Sequence, residues 1–151
     1  MYTAKISYIF YCIFARFINL FLMTLINSAT IDKNKILSET EVIALAMLDK
    51  KAQRVCVMDL RKPGASICDY FVICNADSGT QVVAITDFVE EMMYTQCKRS
   101  ARCNQGKENA FWVIIDYGDI VVHIFQTEYR AFYRLEELWA DAETKHYIDA
   151  P

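Results

Sequence analysis

Hydrophobic positions along this chain switch between two periods. Val42, Leu45, Ala46 and Ala52 recur at helical spacing. They follow Ser38 and Glu41, which together form a capping box, so a first helix is predicted to about Lys51. The run Val55 to Leu60 is apolar and partly β-branched and reads as a strand. Pro63-Gly64 breaks the chain, and Tyr70 to Cys74 reads as a second strand. Val82, Ile85, Val89 and Met92 then return to helical spacing behind Ser78, a residue suited to an N-cap, and predict a long helix to about Gln96. Lys98, Arg99 and Arg102 follow it, where cations suit the helix dipole. A short strand is expected over Ala101 to Asn104.

Residues 111 to 125 carry the clearest pattern. Two nearly continuous apolar runs flank Asp116-Tyr117-Gly118-Asp119. That is a β-hairpin with a glycine free to take positive φ, and runs this apolar belong to strands covered on both faces. Phe132, Leu135, Leu138 and Trp139 mark one last helix, and the segment from Thr144 reads as a polar, frayed tail. The expected fold is α/β (α+β), a mixed sheet of about five strands flanked by helices. The domain is expected over residues 36–143, with a tail over 144–151.

Residues 1–35 have another character. Ile6 to Ile26 is aromatic and aliphatic, broken by Arg16 and Asn19, and is followed by a polar linker. It is read as a start placed too far upstream, with Met23 as the true start, in preference to a membrane anchor or a targeting segment.

The whole chain has 151 residues and a net charge of −3, which argues against binding driven by nucleic-acid phosphates and fits an acidic face meeting a basic protein. Its six cysteines show no Cys-x-x-Cys spacing, so they read as buried, reduced thiols of a cytosolic protein.

Within the hairpin, Trp112, Asp116, Asp119 and His123 are groups that a sheet core does not need. Asp116 and Asp119 are the only close acidic pair there, and they lie across a turn rather than on one strand face. Ser78-Gly79 before a helix is explained by capping. Neither a P-loop nor a dinucleotide-binding fingerprint occurs. Cys74 is the best placed nucleophile, yet no base is paired with it in the sequence. His123 reads as structural or as a binding contact, and Trp112 as a core aromatic or an interface anchor. The chemistry points to a binding module; the alternative is a nucleotidyltransferase-like enzyme using a nucleotide with Mg²⁺.

The pattern Trp112-x-x-x-Asp116-Tyr117-Gly118-Asp119-x-Val121-Val122-His123-Ile124-Phe125 is followed by Glu128-x-Arg130-x-Phe132-Tyr133-x-Leu135-Glu136-x-Leu138-Trp139-x-Asp141-Ala142. Together they resemble the ribosomal silencing factor, or Iojap, family. Asp69 to Cys74, Ser78 and Ala84-Ile85 match it too, so the resemblance spans nearly the whole domain. Ala76 and Phe111 depart from the family pattern. The resemblance implies a nucleotidyltransferase-like fold without catalytic residues and with no cofactor or metal. It implies binding to the large ribosomal subunit through ribosomal protein number fourteen at the intersubunit face. Such binding blocks joining of the small subunit and represses translation when nutrients are scarce. It also implies a cytoplasmic protein, often a homodimer, without a membrane segment. The partner-binding residues it implies are Trp112, Asp116, Tyr117, Asp119 and His123, with Arg130 and Tyr133 beside them.

Overall fold

The computed structural model describes residues 37–62 and 68–147. The apolar N-terminal stretch with its Met23 reading and the Pro63-Gly64 break lie outside the described residues. The chain from Leu37 onward forms one compact unit.

Helix α1, Glu39–Asp49, begins at Ser38, whose hydroxyl accepts from the Glu41 amide while the Glu41 carboxylate accepts from the Ser38 amide. This reciprocal cap satisfies two of the amides that a helix start leaves open. Strand β1 is Gln53–Asp59 and β2 is Tyr70–Ala76. Helix α2, Gly79–Cys97, starts at Ser78, whose hydroxyl accepts from the Gln81 amide. It ends at Lys98 in the left-handed conformation, with the Lys98 ammonium donating back to the Thr95 carbonyl. Strand β3 is Cys103–Gln105, β4 is Trp112–Asp116 and β5 is Ile120–Gln126.

The C-terminal part differs from the sequence expectation. The last helix is two pieces: α3, Thr127–Tyr133, and a 3₁₀ turn, Leu135–Trp139. Arg134 sits between them at φ +48°, which no continuous helix accommodates. Phe132 and Leu138, expected on the buried stripe of one helix, are both exposed as a result. The tail expected to fray from Thr144 is instead strand β6, Glu143–His146, antiparallel to β1. Its polar side chains hide it from a hydrophobicity reading, because an edge strand is held by backbone ladder bonds. Leu45, placed by its spacing on the buried face of α1, is exposed; Ile43, Ala44 and Met47 are buried there.

The mixed sheet therefore has six strands in the order β3-β4-β5-β2-β1-β6. Only β2 and β5 run parallel, with Tyr70 beside Ile120 and Ala76 beside Gln126. α1 and α2 cover one face through Ile43, Met47, Val82, Ile85 and Val89, which meet Val72, Val113 and Ile124. The second core is on the other face, where Phe71, Ile73 and Phe125 meet Tyr129, Leu135 and Trp139. The hairpin is covered on both faces, as its apolar runs imply.

Candidate functional site

Strand alternation sorts the hairpin's side chains. Val113, Ile115, Val122 and Ile124 enter the core beneath the long helices. Trp112 and Val121 pack against the opposite core, beside buried Phe125. Trp112 is register partner of Phe125, and Ile114 of His123. Diagonal neighbours on one face are close enough for aromatic contact.

The indole of Trp112 lies over Phe125 at 4.8 Å between ring centroids and 21° between planes. Its Nε1–H donates to Nδ1 of His123 at 3.2 Å. The ring of Tyr133 of α3 is 4.9 Å away, tilted by 42°. Phe132, 77% exposed, meets Tyr133 edge-on at 5.2 Å. Phe111 stacks on Tyr129 at 4.7 Å and 15°. The aromatics thus form a graded path: Phe132 in solvent, Tyr133 47% exposed, Trp112 half-buried, Phe125 fully enclosed. Tyr129, Phe132 and Tyr133 are three and four residues apart, so one short helix presents all three on one side.

His123 is 5% exposed. The Phe71 ring meets it edge-on at 4.7 Å. Burial holds its pKa at about 4, so the ring is neutral near pH 7; the charge of Glu136 opposes this shift without cancelling it. An indole is only a donor, so Nδ1 must be the acceptor and the proton sits on Nε2.

The turn at the far end of the hairpin has different chemistry. The Asp116 carboxylate accepts from the Gly118 amide at 2.6 Å, and the Tyr117 amide donates to the Ile120 carbonyl at 2.9 Å. Gly118 has φ +97°, which explains the glycine. Arg99 pairs with both Asp119 and Glu39 and donates to the Tyr117 carbonyl at 2.5 Å. The Arg99 hydrogen bonds hold the Asp119 carboxyl below its ordinary pKa. The two aspartates therefore serve the turn and the Arg99 clamp. Among the described residues, no group of three or more His, Cys, Asp and Glu side chains is placed to hold a metal ion.

The seven residues expected to bind a partner fall into three places. Trp112, His123 and Tyr133 lie together. Asp116, Tyr117 and Asp119 are at the turn, and Tyr117 is 2% exposed within the core. Arg130 is 4% exposed and serves as an internal tie. Its guanidinium donates to Glu136 at 2.8 Å, to the Arg54 carbonyl at 2.8 Å and to Asn75 Oδ1 at 2.9 Å. Phe111, Tyr129 and the exposed face of Phe132 were not expected at the site. For Tyr129 and Phe132 the signal was close aromatic spacing on a segment otherwise polar; Phe111 was hidden within an apolar run. Cys74 is enclosed in the core, where burial pushes its thiol far up the pKa scale and leaves it no nucleophile.

A family model described as "Ribosomal silencing factor during starvation" matches residues 33–150. The chain is 41% identical over 112 residues to the ribosomal silencing factor RsfS of Halalkalibacterium halodurans, covering 72% of this chain and 93% of that one. It is 36% identical over 103 residues to the RsfS of Bacillus subtilis, covering 68% and 85%. A crystal structure of a Bacillus halodurans protein superposes with a TM-score of 0.57 at 39% identity, covering 65% of this chain and 90% of that one.

Proposed function

The chain belongs to the ribosomal silencing factor family, and from that premise we propose that it binds the large ribosomal subunit and keeps the small subunit from joining. The partner proposed is ribosomal protein number fourteen of the large subunit, at the intersubunit face, with repression of translation under nutrient limitation as the outcome. The protein acts in the cytoplasm by occupancy, without catalysis or cofactor.

The observation that carries this reading is the aromatic surface around Trp112. It spans a strand end and a short helix, and its exposed aromatic rings suit a protein surface. Aromatic residues, tryptophan above all, are the usual anchors of protein interfaces. Trp112 and Tyr133 supply the central contact, with Phe132, Tyr129 and Phe111 around them. Asp116, Tyr117, Asp119 and Arg130 act by shaping the hairpin and its support.

Co-sedimentation of the full chain with isolated large and small subunits tests this. Wild type is expected to pellet with large subunits only and to block their joining. Trp112→Ala should lose about 2 kcal/mol or more of binding. A folded Trp112→Ala protein that pellets with large subunits like wild type would overturn the proposed interface.

A further inference from the structure

The aromatic strip has one polar anchor, and it lies beneath the surface. We infer that His123 is a positioning residue: its Nδ1 accepts the Trp112 indole N–H and holds the ring in the orientation presented to the partner, while His123 itself stays out of the contact. This rests on the binding reading above.

Three observations carry it. His123 has almost no accessible surface, so a partner docking on the folded domain does not reach it. It is the only side chain hydrogen-bonded to the Trp112 Nε1–H among the described residues, at 3.2 Å. The imidazole is itself held by the edge-on ring of Phe71 at 4.7 Å, so its acceptor points in one direction.

Stacking alone does not choose an orientation for the indole. Phe125, stacked at 21°, and Tyr133, tilted at 42°, make ring contacts with it. A tryptophan turned over about its broad χ2 torsion would still stack on Phe125. Its N–H would then lose its acceptor in a half-buried setting, an unfavourable exchange. The His123 bond distinguishes the two orientations. Trp112 of β4 and His123 of β5 thus form one device rather than two contacts.

Two replacements of His123 separate positioning from simple structural support. His123→Leu fills the site with an apolar group and provides no acceptor. His123→Asn branches at the same carbon as the imidazole, so its Oδ1 can take the place of Nδ1, but it leaves a gap and buries an amide. Stability and binding should therefore rank in opposite orders. His123→Leu should have the higher melting temperature of the two, yet bind large subunits about tenfold more weakly than His123→Asn. In the Trp112→Phe background, which has no indole N–H, the two substitutions should bind alike. The indole N–H resonance of Trp112, assigned with the help of Trp139→Phe, should move upfield in His123→Leu and stay near its wild-type position in His123→Asn.

Equal binding by the two variants, or binding that simply follows their stability, would overturn the positioning role. If either variant fails to fold, the Trp112 indole N–H of the wild-type protein decides: solvent exchange as fast as that of a free indole overturns the role, and protection from exchange supports it. Wild-type binding by Trp112→Ala would instead remove the interface reading itself, so the two failures are told apart.

Discussion

Arg130 offers the sharpest test of how α3 and the 3₁₀ turn are tied to the sheet. Replacing it with methionine keeps most of the apolar stem and removes the charge. Left behind are the Glu136 carboxylate, Asn75 Oδ1 and the Arg54 carbonyl, all of which accept from Arg130 in the native domain. Breaking a buried ion pair by removing one partner costs about 3–5 kcal/mol. Domains of this size have in total about 5–15 kcal/mol to lose. At a urea slope of about 2 kcal/mol/M, the unfolding midpoint of Arg130→Met should fall by roughly 2 M. The double variant Arg130→Met with Glu136→Leu should recover part of this, because no uncompensated carboxylate remains, but not all, since Asn75 and the Arg54 carbonyl still lack their donor. Equilibrium denaturation followed by circular dichroism measures both. A midpoint within about 0.5 M of wild type for the single variant, or strictly additive losses in the double one, would refute the account of Arg130 as a buried tie. The folded fraction of Arg130→Met should still bind large subunits, since the residue has no surface to offer.

The remaining predictions can be checked on purified protein. Folded His123 has a pKa near 4 against an ordinary 6.5, so the unfolded chain binds more protons between these values and stability falls as pH drops through that window. The slope due to this residue approaches about 1.4 kcal/mol per pH unit and should vanish in His123→Leu, as read from urea midpoints at pH 4 to 7. The Arg130 hydrogen bond and charge hold the Glu136 carboxyl low despite its burial, so its contribution is lost only at the acidic end. Gly106→Ala should destabilise the domain by about 1–3 kcal/mol or more, because φ is +88° and the added methyl would fall 2.1 Å from the Trp112 carbonyl oxygen. Of the five described cysteines, Cys103 is exposed and should react with a thiol reagent in the native state, while Cys56, Cys68 and Cys74 should react only on unfolding, as mass spectrometry after alkylation would show.

How far the sequence foretold this molecule depended on what kind of signal each element carries. Capping chemistry is local, so both Ser38 and Ser78 marked their helices to within a residue. The hairpin was legible because its apolar runs and its Gly118 turn satisfy two independent rules at once. Strand β6 was not legible: Glu143–His146 has no hydrophobic pattern, and the backbone of β1 is what makes it a strand. The break at Arg134 was hidden for a related reason, since arginine is an ordinary helix former and its left-handed backbone is set by the tertiary packing on either side. At the site, the odd residues were found but not their company. Trp112 and His123 stood out as misplaced in a strand, whereas their hydrogen bond depends on cross-strand register. Arg130 carried a motif position and gave no sign that it is internal, because its burial depends on acceptors at Arg54, Cys56 and Asn75, brought from distant segments, besides nearby Glu136.

The outermost pairing of the sheet sets a condition on how the domain is made. Strand β1 finds its outer neighbour, β6, only at the opposite end of the domain's sequence, with Cys56 beside His146. Synthesis proceeds at about 5–20 residues per second, so the outer ladder of β1 stays unpaired for several seconds after it leaves the exit tunnel. Closing a contact of such wide sequence separation is entropically costly and slow. An open strand edge is a template for pairing with other chains. The charged ends of β1, Arg54 and Asp59, flank the apolar stretch Val55–Met58 and discourage that pairing during the wait. The sheet thus closes only after Glu143–His146 has emerged, later than the hairpin and α3 that carry the proposed interface.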